Sequence, residues 1–242
     1  MLLGGLQKTT LIDYPGKVAC TIFTVGCNFS CPYCHNKDLV LKKKFKKSSL
    51  SEIKEKDFFN FLDKRQKILD GVCLTGGEPT IQPDLASFCQ KIKNKGLLIK
   101  LDTNGGRPEV VEDLISKRLI DFIAMDIKVD KKNYSLLTKI SYERIIQSLA
   151  LIITSGLDYQ LRTTLVPTIH NSKNLTLLAK EIKSLALKNK INPKSLVWRL
   201  QKFLPQNCLD EKFNRLPPFT GQELGSLLAA AQSIIPQAGG DF

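Results

Sequence analysis

Val18-Ala19-Cys20-Thr21-Ile22-Phe23-Thr24-Val25-Gly26-Cys27-Asn28-Phe29-Ser30-Cys31-Pro32-Tyr33-Cys34-His35-Asn36 joins a run of β-formers to three closely spaced thiols. Val18 to Thr24 is apolar and rich in β-branched residues, which predicts a buried first strand. The C-x3-C-x2-C spacing of Cys27, Cys31 and Cys34 lets three thiolates meet at one inorganic centre without help from distant sequence. Iron–sulfur clusters usually take four cysteine thiolates and structural zinc takes four ligands, so three leave a coordination site for a substrate. Zinc held by these cysteines and His35 is the plainer alternative. Adjacent Cys34 and His35 fit one tetrahedron poorly, and no second C-x2-C pair completes the set.

Outward from this stretch the chain alternates strand and helix signals. Leu2 to Asp13 reads as a short N-terminal strand or hairpin, closed by a Tyr14-Pro15-Gly16 turn. Downstream, Ser51 is expected to open a helix carrying Phe58, Phe59, Leu62 and Leu69. Strands are expected at Gly71–Thr75, Leu97–Asp102, Asp121–Ile127, Tyr159–Val166 and Leu196–Phe203. Helices are expected at Pro83–Lys95, from Pro108 through Ile115, and at Tyr142–Thr154, Leu175–Leu187 and Gln222–Ile235. Six strands, each followed by a helix-length connection, imply a parallel sheet with right-handed crossovers. Periodicity does not choose between a doubly wound sheet and a partial barrel. In both, active residues gather at the C-terminal ends of the strands.

A chain of 242 residues suits one domain spanning 1–242, and 43% hydrophobic with 24% charged residues is ordinary for a globular protein. No secretory signal or membrane span is expected, which points to a cytoplasmic protein. Of seven cysteines, the four outside the loop (Cys20, Cys73, Cys89, Cys208) sit among apolar neighbours and read as buried small hydrophobes. There is no second cysteine cluster for auxiliary iron–sulfur centres. The net charge is +13, with a basic run at Lys42, Lys43, Lys44, Lys46 and Lys47. That run reads as a solvated face or as a dock for an acidic electron donor or protein substrate. Nucleic acid is the weaker reading, because aromatics are not interleaved.

Further signals follow at successive strand ends: Gly76-Gly77-Glu78-Pro79, Thr103-Asn104-Gly105, Met125-Asp126-Ile127-Lys128 and Arg162 within a β-rich run. Glycines there allow close backbone approach. Alternation puts Asp126 and Lys128 on one face. A guanidinium among β-formers needs a partner. The alternatives are a plain turn for the glycines and a surface ion pair for Asp126 and Lys128.

Together, the cysteine loop with its aromatic Tyr33 resembles the radical S-adenosylmethionine (SAM) enzymes. Gly5-Leu6-Gln7-Lys8 through Phe23, followed by Cys31-Pro32-Tyr33-Cys34-His35-Asn36, more specifically resembles the anaerobic ribonucleoside-triphosphate reductase activating proteins, relatives of pyruvate formate-lyase activating enzymes. The resemblance implies a partial (β/α)6 TIM-like barrel and a [4Fe–4S] cluster on Cys27, Cys31 and Cys34, with SAM on the fourth iron. Around SAM it implies Tyr33 near the adenine, Gly76, Gly77 and Glu78 at the methionine amino group, and Thr103 and Asn104 lining the pocket. Asp126 and Lys128 would reach the ribose and carboxylate end, with Arg162 helping to neutralise the carboxylate. Pyruvate formate-lyase activating enzymes carry a ribose-contacting histidine on the sixth strand. Phe203 stands there here, with Gln201 a candidate replacement. His170 reads as a loop histidine, and His35 and Asn36 as loop-structuring residues.

The implied activity is reductive cleavage of SAM to a 5′-deoxyadenosyl radical. That radical takes hydrogen from a glycine of a large glycyl radical enzyme, with flavodoxin or ferredoxin as the acidic electron donor. A pyruvate formate-lyase-type activase is an alternative, as is a small-molecule radical SAM enzyme such as 7-carboxy-7-deazaguanine synthase. The latter lacks the His35-Asn36 and D-x-K features. A non-catalytic metal-binding module is the rival from another class.

Overall fold

A computed structural model describes residues 1–40 and 52–242, so the basic run at Lys42–Lys47 and the helix-opening Ser51 lie outside the described residues. The strands are β1 (Leu3–Thr10), β2 (Ala19–Thr24), β3 (Gly71–Gly76), β4 (Leu98–Thr103), β5 (Phe122–Asp126), β6 (Asp158–Leu165), β7 (Trp198–Lys202) and β8 (Gly239–Asp241). The helices are α1 (Lys37–Val40), α2 (Glu55–Arg65), α3 (Leu85–Lys93), α4 (Pro108–Ser116), α5 (Tyr142–Thr154), α6 (Ser172–Lys188) and α7 (Gly221–Gln232), each numbered among the described residues. The strands neighbour one another in chain order as an open, mostly parallel α/β sheet. Only β1 is antiparallel to its neighbour among the pairs with a defined register.

The residues group into two compact units, the first comprising 1–28, 36–103 and 109–124, the second 29–35, 104–108 and 125–242. In the first, Ile22, Val72, Leu74, Ile99 and Leu101 are fully buried on one face of β2, β3 and β4. Each such side chain contributes about 1.5–3 kcal/mol. α3 buries Leu85, Phe88, Cys89 and Ile92, the face expected from its spacing. Phe88 stacks on Phe58 of α2 at 5.4 Å. The other sheet face carries a polar patch. Thr21, Cys73 and Lys100 share one register row. Lys100 is 2% exposed, and its ammonium bonds the Asp102 carboxylate two residues on.

In the second unit β6, β7 and β8 run parallel. α5 buries Ile145, Leu149, Ile152 and Ile153, the stripe expected of an amphipathic helix. Trp198, fully buried on β7, donates its indole N–H to Thr163 Oγ1 at 3.0 Å. α6 and α7 each start in a reciprocal capping box, Asn171 with Asn174 and Thr220 with Glu223.

One expected element differs, and one strand was not expected. α2 begins at Glu55, because Ile53 bridges to Leu3 of β1 and its N–H bonds Leu3 O at 2.9 Å. β8 carries no strand signal, since Gly239-Gly240-Asp241 has neither β-branched residues nor alternation. The four cysteines outside the loop are buried, as expected. Burial pushes Cys20 and Cys89 up to about 12, so both stay protonated.

The glycines after β3 are required by a backbone crossing. Gly77 N–H donates to Thr24 O at 2.9 Å and Glu78 N–H to Gly26 O at 2.8 Å. A Cβ on Gly77 would lie 2.0 Å from Gly26 O, and Gly76 has φ +118°. A Cβ on Gly225 of α7 would meet nothing within 4 Å. Gly77→Ala should therefore destabilise the protein by about 3 kcal/mol, whereas Gly225→Ala should stabilise it by about 0.5–1 kcal/mol. Urea midpoints moving in opposite directions are the expected result; an unchanged midpoint for Gly77→Ala would refute the close crossing.

Candidate functional site

In the first unit, Cys27 follows β2, and its N–H donates to Val40 O at 3.1 Å, which fixes the base of the cysteine loop on α1. Asn36 Nδ2 donates to Gly76 O at 3.0 Å, so the end of the loop region is tied to the Gly-Gly turn. Glu78 is 1% exposed. Its Oε1 accepts from Thr80 N (3.1 Å), Thr80 Oγ1 (2.6 Å) and Thr103 Oγ1 (2.7 Å). These bonds hold the carboxylate in one orientation and link the ends of β3 and β4. Thr103 thus supports Glu78 directly. Thr80 gave no separate signal in the sequence, although the backbone N–H two residues after an N-cap side chain is its usual partner.

The second unit holds Cys31, Tyr33 and Cys34 together with Asn104, Asp126, Lys128 and Arg162. Asp126, the last residue of β5, accepts from Arg162 Nε of β6 at 2.8 Å and meets Lys128 Nζ at 3.4 Å. Burial alone would raise the Asp126 carboxyl, but Arg162 and then Lys128 outweigh it and bring it down to about 2. Lys128 is held above its ordinary value, the cost of burial being outweighed chiefly by Asp126. Burial pushes the Cys31 thiol up to about 11, and Lys128 pulls in the opposite direction. The expected ion pair therefore exists, but half-buried and shared with Arg162, beside a loop thiol.

The turn at Asn104-Gly105 is closed within this unit. Asn104 Oδ1 accepts from Gly106 N at 2.9 Å, and Ser148 Oγ of α5 donates to Gly105 O at 2.7 Å. The cysteine loop is clasped by the segment after β7. Asp210 N donates to Pro32 O (2.9 Å), Asn207 Nδ2 donates to His35 O (3.1 Å), and Phe213 lies 6.5 Å from the Tyr33 ring. Phe203 is buried with its ring 5.7 Å from that of His35. Gln201 lies opposite Thr164 and Asp241 in the sheet. Among the described residues no three His, Cys, Asp or Glu side chains stand close enough to grip one metal ion.

His170 is more than a loop histidine. It is 5% exposed, its Nδ1 accepts from Val166 N at 3.0 Å, and its Nε2 meets Lys128 O at 2.8 Å. The first bond makes Nδ1 the acceptor, so Nε2 carries the proton and donates to Lys128 O. The ring thus bridges the end of β6 to the residue that flanks Cys31. Burial lowers its pKa below the ordinary 6.5. A depressed folded value gives stability that is present above 6.5 and lost as pH falls through the folded value. As pH falls from 6.5 towards the folded value, the unfolding free energy should fall by at most about 1.4 kcal/mol per pH unit from this group. Urea titrations of His170→Gln should show that slope reduced; an unchanged slope would refute the neutral assignment.

The radical SAM superfamily profile matches residues 21–177. A Methanocaldococcus jannaschii protein assigned as a glycyl-radical enzyme activating enzyme is 33% identical over 97% of this chain and 93% of its own length. The pyruvate formate-lyase-activating enzyme of Clostridium pasteurianum is 28% identical over 74% of this chain and 75% of its own. Streptococcus suis SuiB, solved bound to S-adenosylmethionine, superposes with a TM-score of 0.60 at 16% identity, over 90% of this chain and 48% of SuiB. The chain thus spans about half the length of SuiB, and that likeness concerns the fold. No helix among the described residues is long and apolar enough to cross a membrane. The chain belongs to the radical SAM superfamily, whose members work with a [4Fe–4S] cluster and S-adenosylmethionine.

Proposed function

We propose that this protein activates a glycyl radical enzyme in the cytoplasm, and that its target is an anaerobic ribonucleoside-triphosphate reductase. The observation that carries the reading is the near full-length match to an assigned activating enzyme. The cysteine loop and the Asp126–Lys128–Arg162 cluster support it. Phe203, buried against His35, offers no polar contact where the formate-lyase activases place a histidine, which favours the reductase as target.

The residues suit the cofactors. Cys27, Cys31 and Cys34 stand on one short loop, and three thiolates on three irons leave the fourth for a small ligand. When bound and reduced, the cluster supplies one electron for cleavage of SAM to methionine and a 5′-deoxyadenosyl radical. Lys128 favours the thiolate of Cys31 by its positive charge. Two cations against one carboxylate leave the Asp126–Lys128–Arg162 group net positive, which suits a methionine carboxylate. Glu78, fixed by Thr80 and Thr103, would orient the methionine ammonium between itself and the backbone of Gly76 and Gly77. Tyr33 and Asn104 would line the adenine and pocket side.

Anaerobic reconstitution with iron and sulfide, followed by dithionite, SAM and the candidate reductase, tests the reading. A glycyl radical doublet in the EPR spectrum of the reductase is expected. SAM cleavage without that doublet would reject the reductase as target. Cys31→Ala should lose iron loading and SAM cleavage by more than about 100-fold, the scale set by removing a metal ligand or its support. Cys89→Ala should leave both intact, read by iron content and 5′-deoxyadenosine yield.

A further inference from the structure

We propose that the groove between α5 and α6 docks an acidic one-electron carrier protein that reduces the cluster; this rests on the function proposed above. The groove lies wholly within the second unit and has a volume of about 430 Å³. Its floor is apolar, from Ile146, Leu177 and Leu185, and its rim carries Lys131, Lys180 and Lys188. Lys180 and Lys188 are exposed and make no ion pair among the described residues. Lys131 is bridged to Glu143 at 3.1 Å, and the remaining acid, Glu181, accepts from Tyr142 OH at 2.5 Å. The rim is therefore net positive around an apolar centre. An apolar centre with a cationic rim suits an acidic partner that must bind fast and leave fast.

What distinguishes an electron carrier from any other acidic partner is where the groove leads. The 3-10 segment Lys131–Leu136 forms part of the groove wall through Lys131 and reaches the cysteine loop at its other end. Leu137 O accepts from Ser30 N at 2.9 Å, next to Cys31. Rings follow the same course: Tyr142, at the groove, lies 5.0 Å from Tyr134, which lies 6.2 Å from Phe29 on the cysteine loop. A substrate glycine has to enter the cofactor site itself. An electron needs only a short packed path to it, and this groove has one. In each encounter the carrier's centre is oxidised by one electron and the cluster goes from the 2+ to the 1+ state. No atom or proton changes partner.

The test uses an acidic, pre-reduced 2[4Fe–4S] ferredoxin as the probe. Its affinity is measured by fluorescence anisotropy with and without iron in the present protein, and cluster reduction by stopped-flow absorbance. Lys180→Glu combined with Lys188→Glu should weaken binding and slow reduction by at least about 10-fold at low salt, and flatten the salt dependence. Leu177→Ser should weaken binding by a smaller factor with the salt dependence kept. Reduction by dithionite, and SAM cleavage driven by it, should not change. Lys56→Glu combined with Lys67→Glu, the same change of charge on another exposed surface, should have little effect. Unaltered ferredoxin reduction in the groove variant, or an equal loss in the control, overturns the proposal. So does a groove variant that keeps normal donor kinetics but no longer activates the glycyl radical enzyme. A wild-type protein that holds iron but fails to cleave SAM under dithionite would instead bring down the function proposed above, and this inference with it.

Discussion

The carbonyl of Gly26 and the backbone of Gly77 approach so closely that no side chain can stand between them. Much else in the first unit follows from that crossing. It aligns the end of β2 with the end of β3, so the loop that starts at Cys27 and the carboxylate of Glu78 leave from adjoining backbone. Two backbone hydrogen bonds lock the alignment, and Asn36 adds a third bond from beyond the loop. The glycines therefore serve packing first. The ligand contact proposed above would draw on the same bare backbone, and so the plain-turn reading and the cofactor reading are compatible.

The second unit solves a different problem, that of keeping charge near thiols in a half-buried setting. Asp126 holds Lys128 and Arg162 in place, and the three together retain one excess positive charge. Without Asp126 two cations would repel one another beside Cys31; without Arg162 the group would be neutral. His170 enters this arrangement from behind, through the backbone carbonyl of Lys128 rather than its side chain. Position and electrostatics are thus supplied by different residues.

Much of this was legible in the sequence. The strand ends carrying the glycines, Asn104 and Asp126, and the strand that holds Arg162, were placed within a residue or two, because β-branched runs and glycine punctuation are local signals. The helix at Tyr142–Thr154 was located outright by its apolar stripe. What stayed hidden was non-local. Ile53 reads as a helical residue until Leu3 arrives to pair with it, and β8 has no strand character of its own apart from β7. At the site, the roles of Thr80 and His170 depend on partners brought in by the fold. No local pattern marks a histidine whose two ring nitrogens find backbone groups 4 and 42 positions away. The start of α7 was an exception: Thr220 and Glu223 spell a capping box that places it one residue earlier than the periodicity does.

Lys100 carries a lesson of another kind. Its ammonium is almost wholly withdrawn from solvent, with Asp102 as its one ionic partner among the described residues. Loss of the carboxylate would strand a cation in the interior, at a cost of several kcal/mol, while replacing both with well-packed apolar groups could be nearly neutral. Evolution at these two sites is then channelled: single steps away from the pair pass through a valley, and lineages that leave it should leave at both positions together.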